Sequence, residues 1–380
     1  MTPAGTLEAP WPRTEPAALN PNAEQIELRD TLRALFARHS DIEQVRTTSA
    51  TELGYSPDLW RMLIEDMSVA AIAVPEDRGG LGYGTAELAT ILEECGRALV
   101  CEPVLTSAVL GAQALLLADD PEPVAELLES VLTGESLATV SALDPATDRV
   151  RAEREGGEWA LDGTITHLLG GATADIVVTT ADTPDGSRLF AFRAGPWTER
   201  SPRTVLDPTR RQADTTLRRC PALALTTPAG IPTATARRRD LTTLAVACEN
   251  TGVVDRLVET TIAYTRTRHQ FGRPIGSFQA IKHRLADLLV LSERARSASR
   301  YAAAAYAEDP DSARAAIAVA GAVCTEAAVT AAEEAVQLHG GVGFTWEHPA
   351  HSYYRRALGN EAAHGDARAH RARLAALLGL

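Results

Sequence analysis

The chain has 380 residues, which is more than one hydrophobic core normally organises, so two or three domains are predicted. Hydrophobic residues make up 45% of the chain and charged residues 23%, a balance that is typical of globular proteins. The formal net charge of −13 disfavours nucleic acid and anionic membranes as partners, because both present negatively charged surfaces.

The five cysteines are dispersed, with no CxxC pair and no His–Cys cluster, so no metal site is predicted. Dispersed thiols in a chain of this length are typical of reduced, buried cysteines and predict a cytoplasmic protein. The first residues lack a basic segment followed by an apolar stretch, so no signal peptide is predicted. The most apolar long stretch, residues 313–338, is interrupted by charged residues and predicts a buried core helix and no membrane span.

The first part of the chain divides into an arm and a helical domain. Residues 1–21 carry five prolines and little periodic hydrophobicity, which predicts an extended arm. Residues 22–133 predict a helical domain, because apolar residues recur there at helical spacing. Its helices are predicted from about residue 23 onward and over 57–67, 85–98, 106–117 and 123–132.

The pattern changes between residues 134 and 232, where short β-prone runs are separated by Gly, Pro and Asp. This pattern predicts a small antiparallel β domain. Its strands are predicted over residues 136–142, 149–153, 158–161, 176–180, 189–194 and 217–225.

Residues 233–380 have helical periodicity again, with Ala-rich apolar faces that predict a four-helix bundle. The four helices are predicted over about 236–267, 279–308, 312–338 and 349–378. The predicted fold class is therefore mostly α, with a central β domain between two helical domains.

Two motifs in the last part have the chemistry of a nucleotide site. Residues 264–279 read YTRTRHQFGRPIGSFQ, and residues 337–344 read QLHGGVGF. The guanidinium group of Arg268 is permanently charged and can donate two hydrogen bonds at once to a diphosphate. Glycines let backbone N–H groups approach phosphate oxygens. The alternative for the first motif is an ordinary basic helix end followed by a Gly/Pro exit.

The domain order and both motifs together resemble the acyl-CoA dehydrogenase family, over nearly the whole chain from residue 23. The first motif is similar to the family's Y-x-x-x-R-x-Q-F-G-x-x-I-x-x-F-Q signature, and the second to its Q-x-x-G-G-x-G-F/Y loop. In that family both stretches reach across a subunit interface to the adenosine and diphosphate of FAD. The resemblance implies FAD as cofactor, bound by Arg268, Gln270, Phe271, Gln279, Gln337, Gly340 and Gly341.

The middle domain departs from the family pattern. The family's T-E-P…G-S-D stretch, which lines the flavin ring and thioester, corresponds to TVSALDP at residues 139–145, with no G-S-D following. Residues 159–175 match the family's L-x-G-x-K-x-x-I…A-D block, except that Ile165 replaces the lysine. Trp159 is interpreted as a core aromatic.

The resemblance also implies the reaction and its catalytic base. A proton leaves the carbon α to a thioester while hydride leaves the β carbon for flavin N5, which requires a carboxylate on the opposite face of the substrate. One of the family's two usual base positions corresponds to His364 and the other to Thr242, so neither holds a carboxylate. Thr242 and Thr243 are expected to line the substrate pocket.

Three side chains remain as candidates for the base. Glu249 lies seven residues beyond Thr242, about 10 Å along the same helix face, in an apolar run where burial is expected to raise its pKa. Its alternative is a buried structural glutamate paired with an arginine or a backbone amide. His364 is either the base or an ordinary histidine at the core edge, and Glu361 is expected to cap or pair on the surface.

Three functional hypotheses follow from the resemblance. The first is a FAD-dependent dehydrogenase that introduces a C=C bond into an acyl thioester of coenzyme A or acyl carrier protein. The second is a non-catalytic or half-site subunit of a heteromeric dehydrogenase, and the third is a flavin monooxygenase of the same superfamily. The expected partners are copies of this chain in a homodimer or homotetramer, or a homologous chain in a heteromer, together with an electron-transfer acceptor protein.

Overall fold

The computed structural model describes residues 19–142, 149–345 and 348–380. A helical region is followed by a sheet and then by a second helical region, so the predicted fold class is confirmed. Most of the predicted arm, and the end of the TVSALDP stretch from residue 143, lie outside the described residues.

The first helical region has six α-helices within its described residues, and the first three begin at capping side chains. The six helices are α1 Ala23–His39, α2 Ile42–Ala50, α3 Pro57–Glu65, α4 Thr85–Ala98, α5 Ala112–Leu115 and α6 Ala125–Leu132. The Asn22 side chain accepts from the Gln25 N–H at 2.8 Å, and Gln25 reaches back to the Asn22 N–H, forming a capping box. Asp41 forms a second capping box with Gln44 at the start of α2, and the Ser56 hydroxyl accepts from the Leu59 N–H at the start of α3. Local sequence therefore determines where these three helices begin.

The prediction of a regular α-helix over residues 106–117 is wrong for the first part of that stretch. Val104–Gly111 is a π-helix, and α-helical geometry follows only in α5. All eight residues of the π-helix are buried, so the polar face that normally reveals helical periodicity in a sequence is missing. A π-helix is wider than an α-helix and is frequent at functional sites.

The middle region is a seven-stranded sheet that closes on itself. Its strands are β1 Ala138–Val140, β2 Arg149–Glu155, β3 Glu158–Leu169, β4 Ile176–Thr183, β5 Gly186–Arg193, β6 Thr198–Pro202 and β7 Gln212–Ala224. The hydrogen-bonded order is β1-β4-β2-β3-β7-β5, with β6 paired to β7 beside this path, and a further β4–β5 pairing completes the closure. Trp159 is half-buried and packs edge-on against Phe190 with ring centroids 5.5 Å apart, so it lies at the edge of the sheet's core.

The sequence predicts an antiparallel sheet, but the sheet of the described residues also contains two parallel strand pairs. β1 pairs with β4 in parallel, with Ala138 opposite Ile176, and β2 also meets β4 in parallel. Parallel neighbours need a long crossover connection. The β2–β3 hairpin lies between β1 and β4 in the sequence and supplies that length.

The second helical region contains α7 Ile231–Thr267, α8 Gln279–Glu308, α9 Arg314–His339, α10 Ala350–His364 and α11 Ala367–Leu377. A short hairpin of β8 His269–Gln270 and β9 Arg273–Pro274 joins α7 to α8. The last predicted helix is divided in two, because Gly365 has φ +103° and Asp366 caps α11. The stretch Arg314–Phe344 is long and apolar enough to span a membrane by length and composition, and 72% of its most apolar window is buried inside the protein.

Two glycines let α4 and α7 pack backbone to backbone. A Cβ at Gly96 would collide with the carbonyl oxygen of Glu249, and a Cβ at Gly252 would collide with that of Glu93. Only glycine fits at such a close approach. The first helical region is thereby held against the central part of α7.

Candidate active site and cofactor surface

A cavity of about 460 Å³ lies where the π-helix, the sheet and helices α7, α10 and α11 meet. Its lining consists of Thr106, Leu110, Thr139, Val140, Ser141, Ala142, His167, Leu169, Gln212, Arg238, Arg239, Thr242, Thr243, Ala363, His364, Ala369, His370 and Arg373. This described lining contains three arginines and three histidines but no carboxylate. The cavity is therefore cationic and partly apolar.

Thr242 and Thr243 lie in this lining, where the family position places the substrate pocket. Their hydroxyls donate to the carbonyl oxygens of Arg238 at 2.7 Å and Arg239 at 2.9 Å, one helical turn earlier. A hydroxyl that donates to the backbone can accept a hydrogen bond from a ligand, but it is no proton acceptor for a carbon acid near neutral pH. Their role as substrate contacts stays a prediction.

His364 also lines the cavity, at the end of α10, and is half-buried. Burial, supported by the Arg210 charge and opposed by the Glu249 charge, lowers the pKa of His364 to about 4. The imidazole is therefore neutral at physiological pH. A general base works best with a pKa near the working pH, so His364 is a weak base in this environment.

Glu249 lies outside the cavity lining and is completely buried. Its carboxylate pairs with Arg210, accepts from Arg356 Nη1 at 2.9 Å, and accepts from Asn360 Nδ2 at 3.0 Å. Burial favours a raised pKa for Glu249, but Arg210 and Arg356 outweigh it and hold the pKa below its usual value. The prediction of a raised pKa is wrong, and the contacts match the structural alternative.

The contacts of Arg356 extend this arrangement into a buried charge network. Its Nε donates to Asp207 Oδ2 at 2.6 Å, and its Nη2 donates to the hydroxyl of Thr209. Asp207 and Thr209 belong to the loop between β6 and β7, whereas Glu249 lies on α7. Asp207, Arg210, Glu249 and Arg356 thus connect the sheet to two helices of the bundle, and we call them the buried charge network.

This network could not be found from sequence spacing. Its two arginines lie 39 and 107 positions from Glu249 in the sequence. The residues next to each arginine in the sequence do not distinguish it from an arginine on the surface. Glu361, the third candidate for the base, is half-buried and does not line the cavity.

The two sequence motifs meet at the far end of the bundle. The Tyr264 hydroxyl donates to the His339 carbonyl oxygen at 3.3 Å, and the two rings lie 4.3 Å apart. The contact joins the end of α7 to the end of α9, where the glycine-rich turn begins. The surface formed by the two motifs is called the cofactor surface below.

The predicted cofactor residues are exposed on this surface. They are Arg268, Gln270, Phe271, Gln279, Gln337, Gly340 and Gly341. Phe271 is 92% exposed and Phe344 is 76% exposed, which is unusual for large apolar side chains. Nothing lies within 4 Å of a Cβ built at Gly340 or Gly341, so a ligand has room to approach their backbone. The arginine, amides and open glycines fit a nucleotide diphosphate.

The cofactor surface and the cavity are far apart within one chain. Thr242 and Thr267 lie on the same continuous helix, and 25 residues at 1.5 Å each separate them by about 38 Å. The described residues therefore do not bring the two features together in one site.

Comparison with known proteins identifies the family. The family models "Acyl-CoA dehydrogenase, N-terminal domain" and "Acyl-CoA dehydrogenase, C-terminal domain" match residues 22–135 and 230–379. Acyl-CoA dehydrogenase IpdE2 of Mycobacterium tuberculosis is 35% identical over 346 residues, 90% of this chain and 93% of the relative. The chain belongs to the acyl-CoA dehydrogenase family. IpdE2 of Mycolicibacterium smegmatis is 37% identical, over 92% of this chain and 97% of the relative.

Solved structures share the fold of this chain. A chain of the ChsE4–ChsE5 complex from Mycobacterium tuberculosis matches with a TM-score of 0.86 and 30% identity, over 95% of this chain and 98% of that chain. A variant of the Tcur3481–Tcur3483 steroid ACAD matches with a TM-score of 0.84 and 29% identity, over 94% and 98%. Members of the acyl-CoA dehydrogenase family are FAD-dependent oxidoreductases, and FAD is the cofactor of this chain.

Proposed function

We propose that this chain is the FAD-binding half-site subunit of a heteromeric acyl-thioester dehydrogenase, in which a homologous chain supplies the catalytic carboxylate. The assembled enzyme introduces a C=C bond between the α and β carbons of the acyl group. The observation that carries the proposal is the absence of a carboxylate from the described lining of the cavity.

The chemistry of α-proton removal explains why that absence matters. The proton on the α carbon must pass to a positioned base whose pKa is near the working pH. Thr242 cannot accept it, and burial leaves His364 with a pKa of about 4. Glu249 is ionised but saturated by two arginines and an asparagine, so accepting a proton there would break a buried ion pair.

The exposure of the cofactor surface supports its role in binding FAD at the interface with a neighbouring chain. Arg268 is suited to pair with the diphosphate, the amides of Gln270 and Gln337 to bond nucleotide edges or phosphate, and the open turn at Gly340 to donate backbone N–H groups. The neighbouring chain and the bound FAD would also cover the exposed side chains of Phe271 and Phe344. FAD supplies the hydride acceptor when it is bound, and this chain's residues hold its nucleotide end.

The identities of the relatives favour a heteromer over a homo-oligomer. Two structures at about 30% identity are complexes of two named proteins, ChsE4 with ChsE5 and Tcur3481 with Tcur3483. The steroid assignment of the second makes a bulky acyl thioester a reasonable test substrate. The contacts of Glu249 argue against the hypothesis of a self-sufficient enzyme that uses it as base, and no observation favours a monooxygenase.

Purification of the tagged chain from its source cells tests the proposal. We expect a homologous acyl-CoA dehydrogenase chain to co-purify in a fixed ratio with FAD. The pair should oxidise acyl-CoA substrates, including thioesters with a steroid-like acyl group, with an artificial electron acceptor, whereas this chain alone should remain at background. An active homo-oligomer would refute the proposal.

A pair of variants in the assembled enzyme tests the role of Glu249 itself. Glu249→Gln should leave kcat of the folded enzyme within about threefold, because general-base removal costs about 100-fold or more. Glu361→Gln is the matched control, since it makes the same chemical change on a half-buried residue outside the cavity. A loss of more than 100-fold confined to Glu249→Gln would assign the base to this chain.

A further inference from the structure

The cavity retains a volume suited to a small organic molecule although its described lining provides no base. Its charged side chains are concentrated on α7 and α11. Arg239 lies near the start of α7, and Arg373 faces it from α11. Leu110, Val140 and Leu169 provide an apolar wall.

The two arginines differ in how far the protein neutralises them. Arg373 pairs with the buried Asp240, which Arg314 also approaches at 3.5 Å. Arg239 is exposed, and its guanidinium makes no hydrogen bond or ion pair within the described ranges 19–142, 149–345 and 348–380. The single carboxylate of Asp240 therefore does not balance the positive charges of Arg239, Arg314 and Arg373 at this side of the cavity.

The proximity of Arg239 to Arg373 is unfavourable in the chain by itself. Although Asp240 pairs with Arg373, burial and then the nearby charge of Arg239 lower the pKa of Arg373 to about 10. An oxyanion between the two guanidiniums would relieve this repulsion and accept charge-assisted hydrogen bonds from both.

We propose that this cavity is a binding site for an amphiphilic carboxylate, with the carboxylate at Arg239 and Arg373 and the apolar body against Leu110, Val140 and Leu169. The inference rests on the proposed half-site function, because a cavity without a base is free to hold a ligand that is not the reacting group. A bare phosphate would satisfy the arginines but leave the apolar wall uncovered, so a carboxylate with a hydrocarbon body fits the lining better.

Octanoate is the probe, and octanamide is its uncharged counterpart. Titration calorimetry on the FAD-loaded native assembly should detect octanoate at a stoichiometry of one per copy of this chain. Octanamide should bind at least about tenfold more weakly, because it cannot form the charge-assisted pairs. Inorganic phosphate and coenzyme A are titrated separately to separate oxyanion binding from recognition of the apolar body.

Three variants distinguish the site from binding elsewhere. Arg239→Gln should weaken octanoate binding about tenfold or more without lowering the melting temperature, since Arg239 is exposed, makes no ion pair in the described part of the chain and lies unfavourably close to Arg373. Arg239→Lys should restore part of the affinity. Arg368→Gln is the matched control, because Arg368 is exposed on α11 and does not line the cavity.

The outcomes separate this inference from the proposed function. Octanoate that does not bind, or binds equally to Arg239→Gln, overturns the carboxylate site, as does equal affinity for octanamide. Binding of phosphate or coenzyme A without octanoate also overturns it. Binding is measured without turnover, so acyl-thioester oxidation by this chain alone would refute the half-site function through a different measurement.

Discussion

Replacement of Arg356 by methionine tests whether the buried charge network holds the sheet to the bundle. Arg356 is completely buried and bonds to Asp207 at 2.6 Å and to Glu249 at 2.9 Å. Methionine preserves much of the length of the side chain but leaves Asp207 buried without its cation. Removal of one partner from a buried ion pair costs about 3–5 kcal/mol in the free energy of unfolding.

The size of the chain converts this cost into a melting temperature. A chain of 380 residues has an unfolding entropy of about 0.8 kcal/mol per kelvin near 60 °C, so the melting temperature should fall by about 4–6 °C. Scanning calorimetry at neutral pH measures this change. Arg368→Met, at an exposed position, should shift it by less than about 1 °C. An equally small shift in Arg356→Met would refute the structural role of the network.

Three further predictions concern the cofactor surface, the α4–α7 packing and pH. Gly341→Val should leave the fold unchanged, because a Cβ at this position meets nothing within 4 Å, yet reduce FAD retention at least about tenfold, measured as the flavin-to-protein ratio. Gly252→Ala should lower the melting temperature, because its Cβ meets the Glu93 carbonyl oxygen; an unchanged value would contradict the close packing. The unfolded state protonates His364 below pH 6.5, whereas burial prevents this in the folded state until about pH 4. Stability should therefore fall as pH falls through that window, and less so in His364→Gln, as melting temperatures at pH 7 and 4.5 can show.

The parts of the fold that depend on local chemistry could be predicted from the sequence. Helix α4 has the predicted bounds, because its apolar spacing is local. The division of the last predicted helix was not predicted, because the positive φ of Gly365 cannot be recognised within a helical pattern. The π-helix Val104–Gly111 could not be predicted, because its geometry follows from burial on every side. The parallel β1–β4 pairing likewise depends on where the β2–β3 hairpin packs.

The candidate site also has features that depend on local sequence and features that depend on residues distant in sequence. The cofactor motifs are contiguous in sequence, so the family resemblance that they carry predicts FAD as the cofactor, and the contacts of the individual residues with FAD stay a prediction. The pKa of Glu249 could not be predicted, because it is set by Arg210 and Arg356, which are distant in sequence. The proximity of Arg239 and Arg373 at the cavity could not be predicted for the same reason, because the two arginines are 134 positions apart in the sequence.

Anaerobic flavin reduction tests the central claim most directly. The purified chain, loaded with FAD, is mixed with a panel of acyl thioesters, first alone and then with its homologous partner, while the flavin absorbance band is followed. The half-site function predicts that the band persists with this chain alone and bleaches in the assembled enzyme. Bleaching by this chain alone would contradict the claim that it lacks the catalytic base.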